Sequence, residues 1–129
     1  MSARRDWLAW VPALAWAVLI FALSSQPSLP SPGVSDKQAH FLAYGVLAVL
    51  CLIGASGARL TRIGSRAVLA ALVLTVAYGV SDEVHQSFVP GRTPDVDDVV
   101  ADAIGAAVAL GVAWASAILL RRRTLAPRA

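Results

Sequence analysis

Charge is scarce in this chain. Asp, Glu, Lys and Arg make up 15 % of its 129 residues, against roughly a quarter in a soluble domain. Cysteine is nearly absent. Cys51 stands alone inside the apolar run "VLAVLCLIGA", which excludes an intrachain disulfide and any paired-thiol redox motif. The sequence has no Gly-rich phosphate loop, no tandem repeat and no H-E-x-x-H zinc motif. No linker is long enough to separate domains, so residues 1–129 read as one domain. What remains is apolar: 57 % of residues are hydrophobic and the mean hydropathy is +0.66. The net charge is +3, but the bases flank apolar runs. They argue for orientation in a membrane rather than for a nucleic-acid partner.

Four runs are long and apolar enough to cross a bilayer, which takes about 20 residues. They cover roughly 7–23, 36–55, 66–88 and 95–120. Pro- and Ser-rich "SSQPSLPSPGVS" separates the first two, "GARLTRIGS" the second and third, and "VPGRTP" the last two. Arg4, Arg5, Arg59, Arg62, Arg66, Arg121, Arg122, Arg123 and Arg128 fall on one side of these spans. Lys37 and Arg92 fall on the other. The positive-inside rule places the nine in the cytoplasm, and with them both termini, which requires an even number of spans. The expected fold is therefore all-α, an antiparallel bundle of four transmembrane helices in the inner (cytoplasmic) membrane. The first run also has the layout of a signal peptide, but its longer apolar stretch and three Trp favour a retained span.

Seven of the eight acids crowd the side opposite most of the bases: Asp36, Asp82, Glu83, Asp95, Asp97, Asp98 and Asp102. Against Lys37 and Arg92 this is an excess of five negative charges. Local structure accounts for some. "TPDVDD" reads as a helix start with Thr93 as N-cap, Pro94 first, and Asp95 and Asp97 charging the first turn. "SDKQ" reads as a capping box from Ser35 to Gln38, with Asp36 charging that start.

The deeper groups need another reason, because ionisable side chains within a span usually face a bundle interior or a wet cavity. His40 and Tyr44 lie one turn apart on the face of Leu47 and Cys51. Asp98, Asp102, Gly105 and Ala109 form one stripe whose lower part is small, as close packing in a membrane requires. Asp82, Glu83 and Gln86 fill an arc of about 100°. His85 points elsewhere and is expected at the rim. Arg92, between "PG" and "TP", either pairs with Glu83 or Asp98 or meets an anionic ligand.

"FALSSQP", "DKQAHFLAYGVLAVL" and "YGVSDEVHQSFVPGRTPDVDDVVADAIGA" together resemble the VanZ-like family of small bacterial membrane proteins, from about residue 21 to 111. That family is named after a protein linked to glycopeptide (teicoplanin) resistance. The resemblance implies a cell-envelope setting and recurrent polar positions at Lys37, His40, Tyr44, Glu83, Gln86, Arg92 and Asp98. Where the family often has Asn followed three residues later by Gly, this chain has Asp102 and Gly105.

The candidate site is thus Lys37, His40, Tyr44, Glu83, Gln86, Arg92, Asp98 and Asp102. The favoured expectation is an outward-facing polar pocket for a lipid-linked or amphiphilic envelope ligand, in contact with membrane lipids. An enzyme is the alternative. His40 would be its acid or base, and Glu83, Asp98 and Asp102 would be candidate ligands for a divalent cation. Against it, no nucleophile motif is present and Ser81 has no evident base. A proton- or cation-coupled carrier is less favoured, because no charge lies in the cytoplasmic halves of spans 2 to 4. A purely structural scaffold is a poor use of so many polar groups, since a hydrogen-bonded pair in a membrane contributes only about 0.6 kcal/mol.

Overall fold

The protein, seen as a computed structural model, is described over residues 6–27 and 33–125. Arg4, Arg5 and Arg128, and the middle of the Pro/Ser-rich loop, lie outside the described residues. The described residues form four α-helices and no strand. They are α1 (Val11–Ser24), α2 (Asp36–Ser56), α3 (Ser65–Gln86) and α4 (Val96–Leu125). A 3-10 turn, Asp6–Trp10, leads into α1, and Pro12 falls in the helix's first turn, where its missing N–H costs nothing. With that turn, each of the four helices is long and apolar enough to span a membrane.

The ends follow from local chemistry. At the start of α2 the Gln38 amide donates to Ser35 Oγ at 3.3 Å. The Ser35 amide donates back to Gln38 Oε1 at 3.0 Å. This is the expected capping box. Gly57, at φ +60°, closes the helix with two reverse hydrogen bonds, Gly57 N–H to Gly54 O and Ala58 N–H to Ile53 O.

Several boundaries differ from the expected ones. The third span ends at Gln86 rather than 88, because Ser87 and Phe88 turn out of the helix. Pro90 and Gly91 (φ +86°) then make a tight turn closed by the Arg92 amide on Val89 O. The fourth helix starts at Val96, and Asp95 rather than Thr93 caps it, its Oδ1 accepting the Asp97 amide at 2.9 Å. It also runs past 120, through the arginines. Arg121 folds back to donate to Ala117 O and Ile63 O.

α2 is the central helix, with half of its apolar window buried inside the protein. Its buried face carries Tyr44, Leu47, Ala48, Cys51 and Leu52. Gly45 and Gly105 let α2 and α4 touch through backbone. A Cβ on Gly105 would sit 2.2 Å from Phe41 O, and one on Gly45 3.3 Å from Gly105 O. α1 is tied on from outside, by Trp16 Nε1 donating to Ala43 O at 2.9 Å and Tyr78 OH donating to Ala17 O at 2.6 Å. The remaining surface is largely apolar, including Leu14, Val18, Leu42, Leu69, Val73 and Val112, as lipid contact requires.

Charged contacts segregate to the two ends of the bundle. Where α2 ends, Arg59 and Arg62 both donate to Asp6, at 3.2 and 3.1 Å. All other acids gather where α2 and α4 begin and α3 ends.

Candidate functional site

The site grows from three helix ends. Lys37, in the first turn of α2, donates to Asp95 Oδ2 at 2.6 Å and to Asp98 Oδ1 at 2.9 Å. It thereby pins the start of α2 to the start of α4. The bond from Lys37, and next the bond from the Asp97 amide, hold the Asp95 carboxyl below the usual carboxylate range.

One turn deeper, His40 Nδ1 lies 3.0 Å from Asp102 Oδ1. With Asp102 ionised, the carboxylate only accepts, and the contact then carries the ring proton on Nδ1; Nε2 is turned the other way. There Nε2 faces Asp98 Oδ2 at 3.9 Å, too far for a hydrogen bond. The His40 ring stacks on Tyr44, with centroids 5.9 Å apart and planes 3° apart.

Tyr44 is 1 % exposed and donates to Asp82 Oδ2 at 3.1 Å. Gln86 Nε2 donates to both Asp82 Oδ2 and Glu83 Oε1, each at 3.3 Å. Glu83 Oε2 accepts the Asp95 amide at 2.9 Å, which joins α3 to the start of α4. The chain Asp102–His40 thus lies beside the chain Tyr44–Asp82–Gln86–Glu83, and two of its buried oxygens, Asp82 Oδ1 and Asp102 Oδ2, have no hydrogen-bond partner among the described residues. Asp102 Oδ2 is lodged against the bare backbone of Gly79, where a Cβ would meet it at 2.6 Å.

A cavity of about 100 Å³ opens beside this network, between α1, α2 and α3. Its polar floor is Asp36, His40, Tyr44, Asp82 and Gln86, with Arg92 at the side. Ile20, Leu23, Ala39 and Ala43 form its apolar wall. That volume holds several waters or one small polar group.

Of the eight residues singled out in the sequence, Lys37, His40, Tyr44, Glu83, Gln86, Asp98 and Asp102 fall in this connected set. Arg92 is placed differently. It pairs with neither Glu83 nor Asp98; its guanidinium donates to Gln26 O at 2.8 Å and Leu23 O at 3.2 Å, capping the end of α1. Lys37 takes the carboxylates instead. His85 also ties down α1, with Nε2 2.9 Å from Ser25 Oγ and its ring stacked on Phe21 at 4.4 Å.

Two residues count for more than the sequence suggested. Asp82 is 4 % exposed and holds both Tyr44 and Gln86. Its place on the arc of Glu83 and Gln86 was the available signal. Asp36, read as a charge at a helix start, lines the cavity beside His40. The metal-capable grouping also differs from Glu83, Asp98 and Asp102. Among the described residues, Asp36, His40 and Asp98 are the three whose ligand atoms lie within 4.8 Å of one another.

No curated protein and no solved structure matches this chain significantly. A family model does match, over residues 8–120: the chain belongs to the VanZ/LLP1 family.

Proposed function

We propose that this VanZ-type membrane protein sits in the cytoplasmic membrane as an antiparallel four-helix domain with both termini inside. Its polar end then faces outward, toward the cell envelope. There the cavity receives the polar head of a lipid-linked or amphiphilic envelope ligand while the ligand's apolar part lies along α1. One observation carries this reading: a single small cavity combines a floor of His40, Tyr44, Asp82 and Gln86 with an apolar wall of Ile20, Leu23, Ala39 and Ala43. Such a mixture suits an amphiphile, with its few polar groups setting orientation. Nearby carboxylates outnumber bases, and both bases are engaged, Lys37 by acids and Arg92 by carbonyls. A cationic or hydroxyl-rich head therefore fits better than a bare anion. Binding such a ligand is the route by which the protein would contribute to glycopeptide (teicoplanin) resistance.

The alternative is acid–base chemistry on a phosphate-bearing lipid, favoured by the His40–Asp102 contact at 3.0 Å, which orients an imidazole as a general base requires.

Native mass spectrometry on protein extracted with its own lipids separates the readings. Binding predicts a retained lipid adduct that is lost in Ala43→Trp, which fills the cavity, and kept in Leu69→Trp on the exposed face of α3. Equal adducts in both variants would contradict a cavity ligand. Turnover of an added lipid that stops in His40→Gln would favour the enzyme.

A further inference from the structure

We propose that Asp36, His40 and Asp98 bind one divalent transition-metal cation, of the Mn²⁺ or Zn²⁺ type, at the mouth of the cavity, with Asp102 positioning the His40 ring. The inference shares the cavity of the proposed function but does not need its ligand.

Three observations meet here. The first is the ligand set. Asp36 and His40 stand four apart on α2, on one face. Asp98 comes across from α4, and ligand atoms from all three lie within 4.8 Å of one another. Two carboxylates and an imidazole form a mixed O and N set that suits Mn²⁺ or Zn²⁺.

The second is orientation. A metal-bound histidine characteristically gives its other ring N–H to a carboxylate, which fixes tautomer and direction. Asp102 Oδ1 does this to Nδ1 at 3.0 Å, from a side chain that is 0 % exposed. His40 Nε2 is therefore the ring nitrogen turned toward Asp98, and with Nδ1 protonated it offers a lone pair to a cation there.

The third is an open acceptor. The Asp98 side chain is 4 % exposed, and Lys37 takes only its Oδ1. Oδ2 has no hydrogen-bond partner among the described residues and faces Nε2 at 3.9 Å. Two atoms each about 2.1 Å from one ion sit about 3.0 to 3.4 Å apart, so a closure of roughly 0.5 to 1 Å by side chains would seat it. Lys37 does not cancel the attraction: its single ammonium is shared between Asp95 and Asp98, at 2.6 and 2.9 Å, while Asp102 lies against His40. Waters, or the head of a ligand in the cavity, would complete the coordination.

The experiment uses Mn²⁺ alone, with the full chain in nanodiscs of zwitterionic phosphatidylcholine and phosphate-free buffer. Electron paramagnetic resonance titration should find one bound Mn²⁺ per chain, and pulsed measurements should show ¹⁴N coupling from a ligating imidazole. His40→Gln should abolish the coupling and weaken binding at least tenfold, as should Asp98→Asn. Asp102→Asn keeps an acceptor for Nδ1 and should retain the coupling, whereas Asp102→Leu should lose about 10- to 100-fold in affinity. Asp97→Asn, at an exposed acid outside the group, should change nothing. No stoichiometric site, a site without ¹⁴N coupling, or coupling that survives His40→Gln would each overturn the proposal. The assay contains no envelope ligand, and lipid retention can be repeated in chelator. The failure of one reading therefore leaves the other standing.

Discussion

Replacing Gly105 by Ala is the sharpest test of how the site is held. The new Cβ would stand 2.2 Å from Phe41 O and 2.9 Å from Phe41 C, both backbone atoms of α2 that no rotamer change can move. Ordinary contact needs a little over 3 Å, so α2 and α4 must part by about 1 Å, loosening packing along the seam. Overpacking of this kind costs about 1–3 kcal/mol, and Ala's better helix propensity returns up to about 1 kcal/mol in water. The net loss should be about 1–2 kcal/mol. The same separation pulls His40 from Asp102 and Lys37 from Asp98, since each pair joins the same two helices. Gly111→Ala is the matched control, because its Cβ would meet nothing within 4 Å. Reversible unfolding in mixed micelles should show Gly105→Ala less stable than wild type and Gly111→Ala equal or better. If Gly105→Ala is as stable as Gly111→Ala, the close approach of α2 and α4 is wrong, and with it the geometry of the site.

Tyr44→Phe removes one of the two donors to buried Asp82 Oδ2 and should destabilise by about 1–3 kcal/mol, whereas Asp82→Asn keeps an acceptor and should cost less; unfolding of the two variants side by side checks the order. Arg92→Ala frees the carbonyls at the end of α1 and should speed hydrogen exchange there without altering Mn²⁺ affinity, because Arg92 touches no carboxylate among the described residues. The Asp95 carboxyl is held low by Lys37, so the pair stabilises the fold above the ordinary Asp pKa of about 3.9. That contribution fades as pH falls through the still lower folded value. Thermal melts between pH 2 and 6 should accordingly show a shallower acid limb in Lys37→Met than in wild type.

The sequence was most informative where one physical rule dominates. Hydropathy and basic flanks locate four spans to within a few residues, because a bilayer demands long apolar runs. The capping box at Ser35 was readable from "SDKQ" because its bonds are local. The inward faces of Tyr44, Asp98 and Asp102 followed from helical spacing, and each is at most 3 % exposed. What sequence could not show is the choice of partner across helices. Arg92 was expected either to pair with Glu83 or Asp98 or to meet an anionic ligand, but the turn at Pro90 and Gly91 aims it at the carbonyls of α1 while Lys37 reaches Asp95 and Asp98. Asp36 looked like a dispensable charge at a helix start, and only the approach of α4 sets it beside Asp98. The cap of α4 was missed by two residues because Thr93 and Asp95 are both good cap types. The hydrogen bond from the Asp95 amide to Glu83, which settles the matter, is twelve residues long in sequence.

The claim at the centre of this account is that the polar cavity opens outward. It can be tested in intact cells by placing a single reactive cysteine at Ala39, an exposed position on the cavity wall, in a Cys51→Ser background. A membrane-impermeant maleimide should label Ala39→Cys from outside without permeabilisation. It should label Arg62→Cys, at the opposite end of the bundle, only after the cells are opened. Labelling of Ala39→Cys only after permeabilisation, with Arg62→Cys reacting from outside, would invert the topology and contradict an envelope-facing site.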